Sequence, residues 1–447
     1  AALYTNNGNN NTAVGHDTLD HNTTGASNVA VGRDALTANT TGADMVAIGY
    51  RALSTNTTAN YNVAVGKDAL RLNTTGTNNT ALGFGTLDAN STGSNNTAVG
   101  YAALLRNTTN GGNTAVGDYA LGTSTTGYYN TAVGYQAGDE LTTAIQGVFI
   151  GRAAGHSVTT GHYNVLVGDS AGGEITTATA NTAVGSFALD AITTGSYNVA
   201  IGSSAYTNST TGHNTVAIGY NAGNAITGGG ANNIMGMYAA DGLTTGDHNV
   251  VIGFDAGSYT TTLETGEKNI IIGNYSHTSA SDGDAQIVMG YNVGGTGNSN
   301  FTFGFGTTDS NIAFGATSVT APSDVRLKED IQDEKVGLEF INELRPVTYL
   351  WKKEKDVPEE MKAHKADSEE RVMNGKHNHG FVAQEVKELI DKTPDIKDGF
   401  DMWSEDEADG RQRIGEGALM PIMVKAVQQL SDKVDELTEK LNNCNCE

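Results

Sequence analysis

A serine and a lysine stand five residues apart in the stretch Ala321-Pro322-Ser323-Asp324-Val325-Arg326-Leu327-Lys328-Glu329-Asp330-Ile331. A serine hydroxyl is a poor nucleophile until a base takes its proton. A lysine amine can be that base where its surroundings favour the neutral form. Ser323 and Lys328 could therefore form a Ser–Lys dyad that attacks a carbonyl. Such spacings recur in many polar segments, so the dyad needs wider context.

Three further stretches supply that context: Gly337-Leu-Glu-Phe-Ile-Asn-Glu-Leu-Arg-Pro-Val-Thr-Tyr349, His379-Gly-Phe-Val-Ala-Gln-Glu-Val386 and Leu419-Met-Pro-Ile-Met-Val-Lys-Ala-Val-Gln428. With Ser323–Ile331, and in this order, they resemble the intramolecular chaperone auto-processing domain that ends phage tailspikes and fibres, endosialidase-type spikes among them. The resemblance covers nearly all of residues 323–447. It implies a domain that helps three chains find register and fold a β-rich shaft, then cuts itself off in front of the serine. On that resemblance Ser323 is the nucleophile, Lys328 the base and Pro322–Ser323 the scissile bond of a single-turnover serine peptidase. Asp324 and Arg326 could support the geometry. His379 and Gln384 belong to the third stretch and either help build the site or simply pack. The chemistry calls for no cofactor and no metal.

The last helix is expected to hold such a domain to its copies. Met423, Val427, Leu430, Val434, Leu437 and Leu441 follow one another at steps of 4, 3, 4, 3 and 4. That is a heptad seam, and the span from about 420 to 441 reads as a trimer coiled coil. The other reading is an amphipathic helix lying on its own domain. Glu436 and Lys440 can pair along an exposed face. Cys444 and Cys446 follow, as free thiols or as cross-links between chains.

What this clamp would serve lies upstream. From Gly15 to Gly253 a glycine returns after every 17 residues, fourteen times without an insertion. A fixed short period means stacked units that bury their faces against their neighbours. One copy is Asn28-Val29-Ala30-Val31-Gly32, then Ala35-Leu36, then Asn39-Thr40-Thr41-Gly42. The branched run reads as a short strand and Asn-Thr-Thr-Gly as a turn. The period leaves room for about two strands and two turns, one coil of a solenoid. In Val29-Ala30-Val31 the valines point to one face and the alanine to the other. Both faces are apolar, so both ask for burial. A coil has one interior, and the second face would meet the same rod in neighbouring chains around a shared axis. Alanine suits close approach between chains and the branched column suits the interior, but alternation alone leaves that assignment open.

The expected fold class is mostly β: a trimeric parallel β-solenoid, or β-roll, followed by a small α+β domain. The expected divisions are a shaft over 1–259, an irregular β neck or tip over 260–322, and the chaperone domain over 323–447. Composition marks the last boundary. All five prolines and both tryptophans lie at or after residue 322, and only 7 of 26 Lys+Arg precede residue 323. The repeats also resemble the head repeats of trimeric autotransporter adhesins, although their period is longer than the one usual there.

A formal net charge of −24 argues against nucleic-acid binding. No apolar run is long enough to span a bilayer, so membrane insertion is not expected. Two cysteines rule out a disulfide-built fold. The function expected is a homotrimeric phage tail fibre or spike shaft, made in the host cytoplasm and carried on the virion. Its partners would be its own copies, a host-surface glycan or protein receptor, and an upstream baseplate or tail protein. A bacterial surface filament with the same maturation domain is the alternative. A polysaccharide depolymerase fits less well, because acids such as Asp17, Asp34 and Asp68 recur at one turn position rather than facing each other across a cleft. Tyr61, Tyr128, Tyr129, Tyr163 and Tyr197 fall in the turn region, to stack on sugars or to pack on the adjacent coil or chain.

A physical reason for a clamp follows from the repeats themselves. Identical coils can pair one period out of register with almost no energetic difference. A domain that trimerises at one end would set the register. Its removal would leave the shaft kinetically trapped in the folded state.

Overall fold

A computed structural model describes the chain apart from residues 1, 317, 322, 362, 374, 397–400, 406–409, 445–447 and the side chain at 444. It forms two compact units, 1–322 and 323–447. Among the described residues no helix is long and apolar enough to cross a membrane.

The first unit is a parallel β-solenoid in which each chain closes its own coils. Thr12–Val14 pairs with Val29–Val31, that strand with Val46–Ile48, and so on in one ladder to Asn300–Phe305. Partners lie one period apart, Ala13 beside Ala30 and Ala47. Seventeen steps at the usual strand spacing give a stack about 80 Å long. Each coil carries one strand, not the expected two. Left-handed residues such as Asp34, Leu36 and Asp44, at φ 52 to 63°, bend the rest of the coil too sharply for a second. The bent side still bonds coil to coil, as when the Leu36 N–H donates to the Ala52 carbonyl at 3.0 Å.

The two faces of each strand are now assigned, against the suggestion that alanine suits the chain–chain side. Alanine is the interior column: Ala30, Ala47, Ala64, Ala81 and Ala98 are fully buried, while Val14, Ile48 and Leu82 face outward. In these coils there is no room for a branched side chain at that position, because Leu36, Leu53 and Leu70 fill the centre from the opposite wall. The exceptions follow the same volume limit. Phe149 and Leu166 replace alanine where Gly138, Gly155 and Gly172 replace the leucine, and a Cβ on Gly155 would stand 2.5 Å from the Phe149 ring. Ile234 and Val251 also replace alanine where Ala240 and Gly257 replace the leucine.

The periodic glycine has a backbone reason. Gly66 sits at φ +142°, and a Cβ there would lie 2.2 Å from the carbonyl oxygen of Gly83 in the next coil. Buried asparagines supply a second tie. Asn39, Asn56, Asn73, Asn90 and Asn107 each donate Nδ2 to Oδ1 of the asparagine one coil earlier, at 2.8–3.1 Å. Stacked amides satisfy one another and cost little to bury. At Ser124 the stack ends, and Asn107 Oδ1 and Ser124 Oγ are buried without partners. Leu141, Val158 and Ile175 take the position beyond it.

The ladder does not stop at residue 259. A three-residue insertion precedes Ile270–Ile272, which still pairs with Val250–Ile252. Ile287–Tyr291 and Asn300–Phe305 continue in parallel, and Thr308–Ala313 turns back antiparallel to close the end. The stretch expected to be an irregular neck is thus mostly further solenoid with a hairpin end.

The second unit is small and mixed. Helix α1 (Leu338–Glu343), helix α2 (Ala383–Lys392) and the start of helix α3 (Leu419–Cys444) surround a core of Val336, Phe340, Val386, Leu389, Met402, Leu419 and Ile422. Two short antiparallel pairs, Val347–Tyr349 with Asn378–Gly380 and Trp403–Glu405 with Gln412–Ile414, complete it. Gln429 on α3 accepts the Leu338 N–H at 2.7 Å and so ties α3 to the start of α1.

Candidate functional site

The second unit opens on a single 3-10 turn, Val325–Leu327. Asp324 caps it, its carboxylate accepting the Arg326 N–H at 2.8 Å. A short acidic residue at that position satisfies a donor the turn leaves open. The Arg326 guanidinium folds back on the same carboxylate, with Nε 3.0 Å from both oxygens. That bond holds the Asp324 carboxyl below its ordinary range. The Lys328 N–H closes the turn on the Val325 carbonyl at 3.2 Å.

The turn brings its two ends together. Lys328 Nζ lies 2.7 Å from Ser323 Oγ, within hydrogen-bond reach. Both residues are exposed. Val325, Leu327 and Ile331 around them are apolar and 66–72% exposed. Pro322, on the other side of the expected scissile bond, lies outside the described residues.

His379 and Gln384 are not hydrogen-bonded to this pair. His379 stands in the strand Asn378–Gly380 opposite Thr348, and Gln384 on the exposed face of α2's first turn. Their neighbours explain why this stretch matters to the unit. Val386 and Leu389 enter the core, and Glu385 accepts from Arg345 Nε at 2.9 Å across to the segment after α1. The Arg345–Glu385 and Gln429–Leu338 ties were missed in the sequence, since a spacing of 40 or 91 residues carries no local signal.

The seam on α3 is present and uncovered. Ile422 and Ala426 are buried in their own unit, but Met423, Val427, Leu430, Val434, Leu437 and Leu441 are 48–65% exposed. From residue 430 to 443 every side of the helix is exposed. Glu436 and Lys440 form an ion pair along it. Cys446 and the Cys444 side chain lie outside the described residues.

The acids of the repeats have local partners. Asp68 is buried beside Arg51 Nε at 2.9 Å. His16, Asp17 and Asp34 form one cluster of metal-ligand type at the surface, with His16 Nδ1 already 2.9 Å from Asp17.

No curated protein and no solved structure matches the chain. A family model does match part of it. Residues 323–393 fit the family described as chaperone of endosialidase, a self-cleaving intramolecular chaperone domain, and the match begins at Ser323, where the second compact unit begins.

Proposed function

We propose that this chain is the subunit of a homotrimeric host-attachment fibre, and that its C-terminal unit folds the shaft and then severs itself at Pro322–Ser323. The observation that carries the reading is the 2.7 Å contact of Lys328 Nζ with Ser323 Oγ, on the turn that opens the unit similar to the chaperone family.

The chemistry needs only these residues and water. Ser323 Oγ adds to the Pro322 carbonyl carbon while Lys328 Nζ takes the hydroxyl proton. The C–N bond breaks, and the proton passes to the departing Ser323 amine. Water then hydrolyses the ester, leaving a Pro322 carboxylate and a free Ser323 hydroxyl. Asp324 and Arg326 act as positioning residues, because they fix the turn that sets the distance. Apolar cover strengthens such a step by excluding water. Val325, Leu327 and Ile331 are available for neighbouring chains to cover, which would tie cleavage to assembly.

The trimer rests on the seam. A helix whose last turns carry Val434, Leu437 and Leu441 into water is marginal alone and gains stability by burying them. The outward Val and Ile column along the solenoid asks for cover in the same way. A shaft on a virion, attached upstream to a baseplate or tail protein, is the setting in which such a device makes sense.

The test is the mass of the purified protein, wild type beside Ser323→Ala, by denaturing gel and mass spectrometry. Wild type should give two pieces divided at Pro322–Ser323, and the variant one intact chain. An intact wild type after folding would reduce the unit to a permanent cap.

A further inference from the structure

Four tyrosines occupy one position of the repeat, twelve residues after the periodic glycine: Tyr61, Tyr129, Tyr163 and Tyr197. All four backbones are left-handed, at φ 59, 59, 60 and 63°. Other coils place Asp44, Asn78, Asn95 or Asn214 there, short polar residues that this conformation tolerates, and also Gln146, Ala180, Ala231 and His248. A bulky ring is an outlier in it. Within the chain the rings are only partly covered: they are 53–65% exposed, although Tyr129 lies against Gly112 of the neighbouring coil and touches Tyr128.

Their spacing is regular. Tyr129, Tyr163 and Tyr197 recur every 34 residues, which is every second coil. At the strand spacing that is about 9.6 Å, the length of roughly two sugar rings in an extended chain. At Tyr129 the surface is also cut away. Gly111 and Gly112 replace the side chains that neighbouring coils carry at Ser94-Asn95 and Tyr128-Tyr129. The Tyr129 ring covers the gap, 2.5 Å from where a Gly112 Cβ would sit. The result is a groove of about 600 Å³ lined by Ser94, Asn95, Thr109, Asn110, Tyr128 and Tyr129. Hydroxyls, amides and two phenol rings line it, and no charged side chain does.

We infer that this groove and the tyrosines beyond it are subsites for an extended, uncharged carbohydrate chain. Rings stack on the apolar faces of sugars, and Asn, Ser and Thr exchange hydrogen bonds with their hydroxyls. The −24 net charge disfavours an anionic polymer. A protein partner or a second copy would favour a continuous ridge over rings on alternate coils. The inference deepens the host-attachment part of the proposed function and does not depend on self-cleavage.

The test is affinity electrophoresis of the full-length protein in native gels containing dextran, mannan or laminarin, with anionic alginate as the contrast. At least one uncharged polymer should retard the wild type. Tyr129→Ala should weaken that retardation about tenfold, and Gly112→Ala, whose Cβ would push the Tyr129 ring out of its place, should weaken it comparably. Tyr129→Phe should retain most of it. No retardation by any uncharged polymer, retardation by alginate alone, or an unchanged Tyr129→Ala would each overturn the inference. So would resistance of Tyr129, Tyr163 and Tyr197 to nitration in the native oligomer, which would mean that copies of the chain cover them. Cleavage is scored in the same samples. A cleaved protein that binds no uncharged polymer sinks the sugar site alone, and an uncleaved one that binds supports it while sinking self-processing.

Discussion

Lys328 Nζ and Ser323 Oγ face each other at 2.7 Å across a turn that shares no side chain with the core of its own unit. The pair is held locally, by the Asp324 cap and the Arg326 clamp, and little else restrains it.

Lys328→Met should therefore leave folding intact and stop the cut. Loss of a general base costs about 10²–10⁴-fold in rate. The fraction cleaved against time after refolding, read by gel, measures it. A variant that cleaves at the wild-type rate would remove Lys328 from the mechanism.

Asp324→Ala tests positioning. It removes both the cap and the acceptor of Arg326, while Ser323 and Lys328 stay. Cleavage should slow about fivefold, in line with a lost cap of about 1 kcal/mol. Asp324→Asn, which still caps, should recover part of the rate. Wild-type rates in both variants would assign Asp324 no part.

Leu437→Glu places a charge in the exposed seam far from the turn. It should lower the oligomer from trimer to monomer in light scattering and, with it, the yield of cleaved shaft. Full cleavage in a monomer would break the proposed link between assembly and processing.

Ser124→Asn should stabilise the solenoid by about 1 kcal/mol. The new amide would donate to Asn107 Oδ1, which is now buried and unpaired. Its own stack would then continue one coil further. Denaturant unfolding of the cleaved shaft reads the change, and a loss of stability would mean that the position lacks room for the amide.

Phe149→Ala should cost about 3–5 kcal/mol, because Gly138 and Gly155 leave a cavity that no neighbour fills. Adding Gly155→Leu should return part of it by restoring the ordinary pattern of the repeat. Additive losses in the double variant would show that the two positions do not share volume.

Much of this was legible in the sequence because a period is a global signal. The glycine at every seventeenth position fixed the coil, and the shift in proline and charge marked the unit boundary near residue 322. The facing of Ala30 and Val31 was not legible. Alternation separates two faces without saying which is inside, and the answer depends on how tightly left-handed residues such as Leu36 bend the coil. The continuation past residue 259 was hidden because an insertion of three residues and a coil of fourteen broke the count while the strands kept pairing. At the candidate site, Ser323 and Lys328 could be named from spacing and resemblance. Their approach could not, since it depends on an Asp324 cap whose partner is a backbone group.

Stacking one coil per step also sets how the shaft answers force. The bonds between coils run along the stack, so a pull on its two ends loads them end-on, one rung at a time. A coil that gives way lets out seventeen residues, roughly 50 Å of extended chain once the rung it occupied is subtracted. The unit would then lengthen in equal increments, each rupture sparing the coils beyond it, and a fibre so built would yield by degrees under drag before it failed outright.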